Sequence, residues 1–347
     1  MRVVIAKKLL STVGGSEAQA RALGAALRDR GHDVTLVGLR PAVRRTGIPA
    51  RVYDAPRGDV VIDDAGLTYR FIASPAALLE GTLPVSLVRP DRLRAAIAGA
   101  DVVHCLAREW AGPYERAARV AGAAFVETPL VHPGQPFSGD GAADVARYRR
   151  DAAVIGLTEW EAAWYRARGA GRAFVTGVGP IMTAPIPDRA PDPSTVLFVG
   201  RKERYKGYDA LRGAAGLVWR KRPDARWSEP GIVSEERKAE AYARATIFAM
   251  PSDHETFGHT YLEAWCAGRP VIAGDIPPLR EVVRDGIDGL HAANEPRAVA
   301  DAILALLADP RRAAAMGASG RRRVHERFTW PDVAARTEVA YEAARLA

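Results

Sequence analysis

Lysine is scarce in this 347-residue chain: of 49 basic residues only Lys7, Lys8, Lys202, Lys206, Lys221 and Lys238 are lysines. Arginine-heavy, alanine-heavy composition accumulates positive charge by bias alone, so the net +8 reads as diffuse solvated surface and argues against a nucleic-acid partner. Cysteine is scarcer still. Cys105 and Cys266 lie in apolar stretches without metal-ligand spacing, which excludes a disulfide scaffold and reads as reduced, buried thiols. No run approaches the ~20 apolar residues of a membrane span. The apolar start at 3–6 is stopped by Lys7 and Lys8, too early for a secretory signal. A cytoplasmic protein is expected, with peripheral contact to an anionic membrane left open. A Gly-x-Gly-x-x-Gly fingerprint is also missing, which argues against a nicotinamide enzyme.

What is present is an ordinary globular composition, 48% hydrophobic with 32 Gly and 24 Pro, at about twice the length of one domain. Apolar strands are expected at 3–6, 34–38, 100–105, 123–128 and 153–157, with helices at 16–30, 91–98, 112–121 and 159–168. Strands alternating with helices imply a parallel sheet covered on both faces. Five prolines fall between Pro180 and Ser194, where periodicity vanishes. The pattern then restarts, with strands at 195–199, 247–250 and 270–273 and helices at 209–220, 235–245, 259–267, 296–307, 310–327 and 331–347. The domains expected are 1–180, a linker at 181–194, a second domain at 195–330, and a last helix at 331–347 returning to the first domain. Two doubly wound domains facing one another place a ligand at the carboxyl ends of both strand sets.

Three loops there carry chemistry. Gly14-Gly15-Ser16-Glu17 follows a strand and opens a helix, where free amides attract anions, although a simple turn reads equally well. Gly200-Arg201-Lys202-Glu203-Arg204-Tyr205-Lys206-Gly207 concentrates Arg201, Arg204 and Lys206 after another strand, suited to a diphosphate or simply an ordinary charged loop. The most specific stretch is Asp253 to Ala264. Phe257-Gly258 turns into a helix whose amides at about Thr260, Tyr261 and Leu262 lack intrahelical partners. Glu263, expected in that helix's first turn, can accept bonds from a ribose diol. Glu255, before the helix, can face the group beyond a diphosphate. The competing reading is a capped helix with a surface acid.

Two glutamates with seven residues between them, running from His254-Glu255-Thr-Phe-Gly258 through Tyr261-Leu-Glu263-Ala-Trp-Cys-Ala-Gly268-Arg-Pro270, resemble the signature of retaining glycosyltransferases of family 4, with the GT-B fold. The resemblance extends to Gly14-Gly15-Ser16-Glu17, Gly200-Arg201 with Lys206-Gly207, Glu281 to Gly289, and Arg327-Phe328-Thr329-Trp330. Residues 40–95 are least recognisable. The resemblance implies two Rossmann-like domains. Arg201 and Lys206 neutralise the donor diphosphate, Glu263 holds the ribose and Glu255 faces the donor sugar. The backbone about Phe257-Gly258 meets sugar hydroxyls, and Gly14 and Gly15 contribute from the first domain. His132, in Glu127-Thr-Pro-Leu-Val-His132-Pro-Gly134, matches a first-domain histidine that reaches the donor sugar.

The implied donor is a UDP- or GDP-sugar, with no tightly bound cofactor and no metal. Cationic side chains and helix amides take over stabilisation of the departing diphosphate. Glu255 is not a nucleophile, since the acceptor attacks from the face the leaving group departs. The interval from Pro223 to Ser234 is short for this pattern, so a strand-plus-helix unit is expected to be trimmed or missing and the second domain shortened. A sugar-nucleotide epimerase and a catalytically silent sugar-nucleotide binder are the competing functions. First-domain loops show no readable acceptor motif, leaving saccharide, lipid and small-molecule acceptors open.

Overall fold

The computed structural model describes residues 1–11, 14–41, 43–45, 47–55, 58–74, 88–133 and 139–347. They form two compact units, Met1–Gly177 with Trp330–Ala347, and Val178–Thr329.

The first unit runs β1 (Arg2–Ala6), α1 (Gly15–Asp29), β2 (Asp33–Leu39), α2 (Arg51–Asp54), β3 (Val60–Asp64), β4 (Leu67–Ile72), α3 (Pro90–Ala96), β5 (Val102–Leu106), α4 (Ala111–Ala121), β6 (Ala124–Thr128), α5 (Ala142–Tyr148), β7 (Ala153–Gly156), α6 (Glu159–Arg166) and β8 (Ala173–Val175). Its sheet has the order β3-β4-β2-β1-β5-β6-β7-β8, parallel except for the β3/β4 hairpin. Strand alternation divides the core. Val3 and Ile5 of β1 face one way, packed with Leu23 and Leu27 of α1. Val4 and Ala6 face the other, with Leu93 of α3 and Tyr114 and Ala118 of α4. Central strands buried on both faces read as continuous apolar runs, which is why the sequence announces them.

The second unit runs β9 (Thr195–Leu197), α7 (Tyr208–Trp219), β10 (Arg226–Ser228), α8 (Glu235–Arg244), β11 (Ile247–Met250), α9 (His259–Cys266), β12 (Val271–Gly274), α10 (Pro277–Val282), β13 (Gly289–Ala292), α11 (Pro296–Ala308) and α12 (Pro310–Arg327). Its five strands, ordered β10-β9-β11-β12-β13, are all parallel. The final helix, α13 (Trp330–Arg345), lies with the first unit, burying Val333, Ala334, Ala340, Tyr341 and Ala344 in its core.

Several elements escaped the sequence pattern. The β3/β4 hairpin turns at Ala65-Gly66, both at positive φ (49° and 74°), as a two-residue hairpin connection requires. Strand β10, only three residues long, lies in the interval where a strand-plus-helix unit was expected to be trimmed or missing. Strands β8 and β13 and helices α2, α5 and α10 were also unforeseen. Residues 178–194 contain neither helix nor strand and fall within the second unit. Of the cysteines, Cys105 is buried but Cys266 is only partly so.

Candidate functional site

Two loops of the second unit meet at the carboxyl edge of its sheet. One leaves β9 and ends at Gly207; the other leaves β11 and ends at Gly258. The backbone ties them, Asp253 N–H donating to Tyr205 O at 2.8 Å. The Ser252 hydroxyl lies 2.9 Å from Tyr205 O and 3.1 Å from His254 O. Asn294 Nδ2 donates to Arg204 O at 3.1 Å, bracing the first loop from beyond β13. Gly207 is required here: at φ +76° its missing Cβ would fall 2.5 Å from Pro251 O.

This frame brings together two residues singled out in the sequence. Lys206 Nζ and Glu255 Oε1 form an ion pair, with side chains only 15% and 10% exposed. Partial desolvation makes such a charge pair matter more than a surface one. Lys206 Nζ also stands 5.2 Å from the centre of the Tyr205 ring, and the Arg201 guanidinium 5.5 Å from it. Arg201 donates to the Tyr205 hydroxyl but is 72% exposed, so it borders the frame where Lys206 is held inside it. Arg204 is exposed.

Gly258 caps the start of helix α9, and its φ of +89° places its absent Cβ 2.4 Å from Tyr261 Cε2. Phe257 is buried, and Tyr261, buried against Phe248, donates its hydroxyl to Met250 O at 2.5 Å. Tyr261 N–H is itself bonded to Gly258 O at 3.2 Å. Of the amides expected to be free at about Thr260 to Leu262, that of Tyr261 therefore has a backbone partner. Glu263 is the fifth residue of α9, in its second turn and not its first. It is 1% exposed, accepting from Tyr242 Oη at 2.9 Å and Lys238 Nζ at 3.2 Å. Burial pushes its carboxyl above the ordinary range, and Lys238 and Tyr242 pull it back.

Sequence reasoning missed two residues beside this site. Lys238 of α8 bridges Glu235 at 2.9 Å and Glu263. Its signal was available, since it is one of the few lysines in an arginine chain. His259, first in α9, points Nδ1 at Gly179 O, 2.9 Å away. Against a carbonyl that nitrogen carries the proton, leaving Nε2 as the acceptor. Burial lowers the ring's pKa and keeps it neutral.

In the first unit, Gly14 has φ +120°, and a Cβ there would lie 2.2 Å from Glu17 Oε2. The carboxylate of Glu17 thus sits against the start of α1, 3.6 Å from the buried ammonium of Lys7. His132 is half-buried in the chain leaving β6; Gly134, two residues on, lies outside the described residues. Below His132, the fully buried Glu161 accepts from Leu157 N–H at 2.7 Å, Tyr165 Oη at 2.9 Å and the backbone of Val131. Glu127, at the root of the same segment, receives both arms of Arg147 at 2.6 and 2.9 Å. Neither Glu161 nor this pair was legible in the sequence as a buried polar contact.

The family models agree with the geometry. Residues 14–180 match a glycosyl transferase 4-like domain and residues 230–323 match glycosyl transferases group 1. The chain belongs to glycosyltransferase family 4. This family 4 chain is 32% identical over 159 residues to the α-maltose-1-phosphate synthase of Mycolicibacterium smegmatis, covering 44% of the chain and 41% of that protein. It therefore spans about two fifths of the length of that curated relative. Among solved structures it resembles sucrose-phosphate synthase from Thermosynechococcus elongatus at TM-score 0.77 and 21% identity, over 98% of both chains. It also resembles Anabaena HepE in complex with UDP and glucose at TM-score 0.76 and 14% identity, over 99% of both. Both likenesses establish the GT-B fold of this family 4 chain.

Proposed function

We propose that this chain is a retaining, metal-independent glycosyltransferase that moves a sugar from a UDP- or GDP-sugar to an acceptor hydroxyl. One observation carries the reading: Lys206 and Glu255, 49 residues apart in sequence, are paired beside the start of α9. A cation, a carboxylate and unpaired helix amides at one sheet edge suit a leaving diphosphate and the sugar beyond it. In this reading Lys206 and Arg201 take diphosphate oxygens together with the amides that begin α9 after Phe257 and Gly258. Glu263 accepts from the ribose through the lone pairs that Lys238 and Tyr242 leave, and Glu255 meets a sugar hydroxyl. His132, with Gly14 and Gly15, acts from the first unit. The C1–O bond to the diphosphate breaks, a C1–O bond to the acceptor forms on the same face, and the acceptor's proton leaves on the diphosphate.

The test is release of nucleoside diphosphate from a panel of UDP-, GDP- and ADP-sugars, with and without acceptors. UDP-sugars come first because the HepE structure holds UDP. The expected result is slow hydrolysis of one donor without acceptor, unaffected by chelator, and an acceptor product of unchanged anomeric configuration. A second reading, a silent sugar-nucleotide binder, is favoured by the trimmed interval that holds only β10. Stabilisation by a nucleotide-sugar with no release from any donor would establish that reading instead.

A further inference from the structure

A cavity of about 340 Å³ opens on the second unit away from the loops just described. It lies between α12 and the turn that enters β13. The five strands are parallel, and the donor loops leave the carboxyl ends of β9 and β11, so a turn entering β13 stands at the opposite edge of the sheet. Four arginines line it, Arg284, Arg322, Arg323 and Arg327, against a single acid, Glu326. Four of the charged lining residues come from one stretch of α12, where residues three and four apart share a face.

Two of the guanidinium groups are fixed. Asp288, fully buried beneath the cavity, accepts from Arg284 Nε at 2.6 Å and from Arg323 Nη1 at 3.4 Å. Arg323 is further bonded to the carbonyls of Val282 and Glu281, and Arg284 Nη2 reaches the Ser319 hydroxyl at 3.2 Å. One carboxylate thus anchors two cations without neutralising both. Burial and repulsion from Arg284 and Arg327 hold Arg323 below the usual guanidinium range. Arg322 is exposed and, among the described residues, has no partner at all. Preoriented guanidinium forks with excess positive charge and a hydroxyl free to donate are a receptor for a tetrahedral oxyanion.

We infer that this cavity is a second anion site, distinct from the donor loops, that binds the phosphoryl group of a phosphate ester through Arg284, Arg322, Arg327 and Ser319. The ester is either a soluble phosphorylated metabolite or the headgroup of an anionic lipid. The inference does not depend on the proposed transferase activity.

The experiment titrates the intact chain with inorganic phosphate, following thermal stability, with sodium chloride at matched ionic strength as control. It is repeated on Arg322→Glu combined with Arg327→Ala, both exposed, and on Lys206→Ala, which alters only the donor loops. The expected result is a saturable stabilisation beyond that of chloride, weakened at least about tenfold in the arginine double variant and kept in Lys206→Ala. Stabilisation no greater than chloride's, unchanged in the double variant, or lost only in Lys206→Ala would overturn the site. Co-sedimentation with phosphatidylcholine vesicles, with and without phosphatidylglycerol, then separates the sources. Capture by anionic vesicles that the double variant loses, alongside the phosphate effect, identifies a headgroup; the phosphate effect alone identifies a soluble ester. Vesicle capture without saturable phosphate binding reduces the arginines to diffuse charge and also overturns the site.

Discussion

At the scale of single residues, the two loops of the second unit differ in what they expose. Lys206 is held inside its frame by Glu255, whereas Arg201 stands in solvent. Removing Lys206 should therefore be the costlier change. Lys206→Ala is expected to lower transfer about 10²–10³-fold with the fold intact, the scale of losing one preorganised stabiliser of a leaving group, and Arg201→Ala to lower it less. Steady-state kinetics with circular dichroism checks both, and unchanged turnover in Lys206→Ala would remove the basic loop from the site. Glu161 gives a second prediction. Burial pushes its carboxyl up to about 7 from an ordinary 4.5. The folded state holds the proton more tightly than the unfolded chain, so its contribution to stability is full below about 4.5 and is lost as pH rises through about 7, by about 3 kcal/mol. Denaturant unfolding between pH 4 and 8 should show this decline, and Glu161→Gln should remove it. Comparing the two profiles separates Glu161 from Asp151, which burial and the Glu127 carboxylate push up to about 10. Residues such as Lys206 and Glu255 were legible because their spacing follows a strand and opens a helix. Glu161 was not, since it acts through burial and contacts that no motif marks, and the signal Lys238 carried, its rarity in an arginine chain, pointed to no partner.

At the scale of elements, the central strands were legible and the edges were not. Strands β1, β5, β6, β11 and β12 are buried on both faces and announce themselves as apolar runs. The edge hairpin β3/β4 alternates instead, with Val61 exposed, and its turn uses a non-glycine residue at positive φ. Strand β10, also at an edge, is too short to carry a pattern. The frame that holds Lys206 and Glu255 is an element-scale object because it exists only where the loops after β9 and β11 touch. A point of it that does not tolerate substitution is Gly207, where both φ and the nearness of the Pro251 carbonyl forbid a side chain. Gly207→Ala is expected to cost about 2 kcal/mol or more by combined strain and overlap. It should also raise the KM for the donor by pulling Tyr205 off Asp253 N–H. Chemical denaturation and donor kinetics measure the two effects. An alanine variant of normal stability and normal donor KM would show that the two loops are not rigidly joined.

At the scale of the whole molecule, the chain leaves the first unit at Gly177 and re-enters it at Trp330, so the first fold is completed only after the second is made. The seam is polar as well as apolar. Tyr341 of α13 meets His104 of the central strand β5, Oη to Nδ1 at 2.8 Å, and the other ring nitrogen lies 2.7 Å from Thr128 Oγ1 on β6. Burial pushes the His104 pKa down to about 3, so the ring is neutral, one nitrogen donating and the other accepting. Both partners are needed, because a buried ring nitrogen without one keeps its full desolvation cost. The sequence shows α13 as a helix but not this contact, which joins residues 237 apart. Tyr341→Phe preserves the ring and deletes only the hydroxyl, so it is expected to cost about 1–3 kcal/mol, confined to the first unit. Native-state hydrogen exchange resolves the claim: amides of β5 and β6 should lose protection by a corresponding factor of about 5–150 while those of β11 and β12 keep theirs. Equal loss in both units would mean that the chain unfolds as one cooperative block, and no loss in either would mean that Tyr341 is held by packing alone.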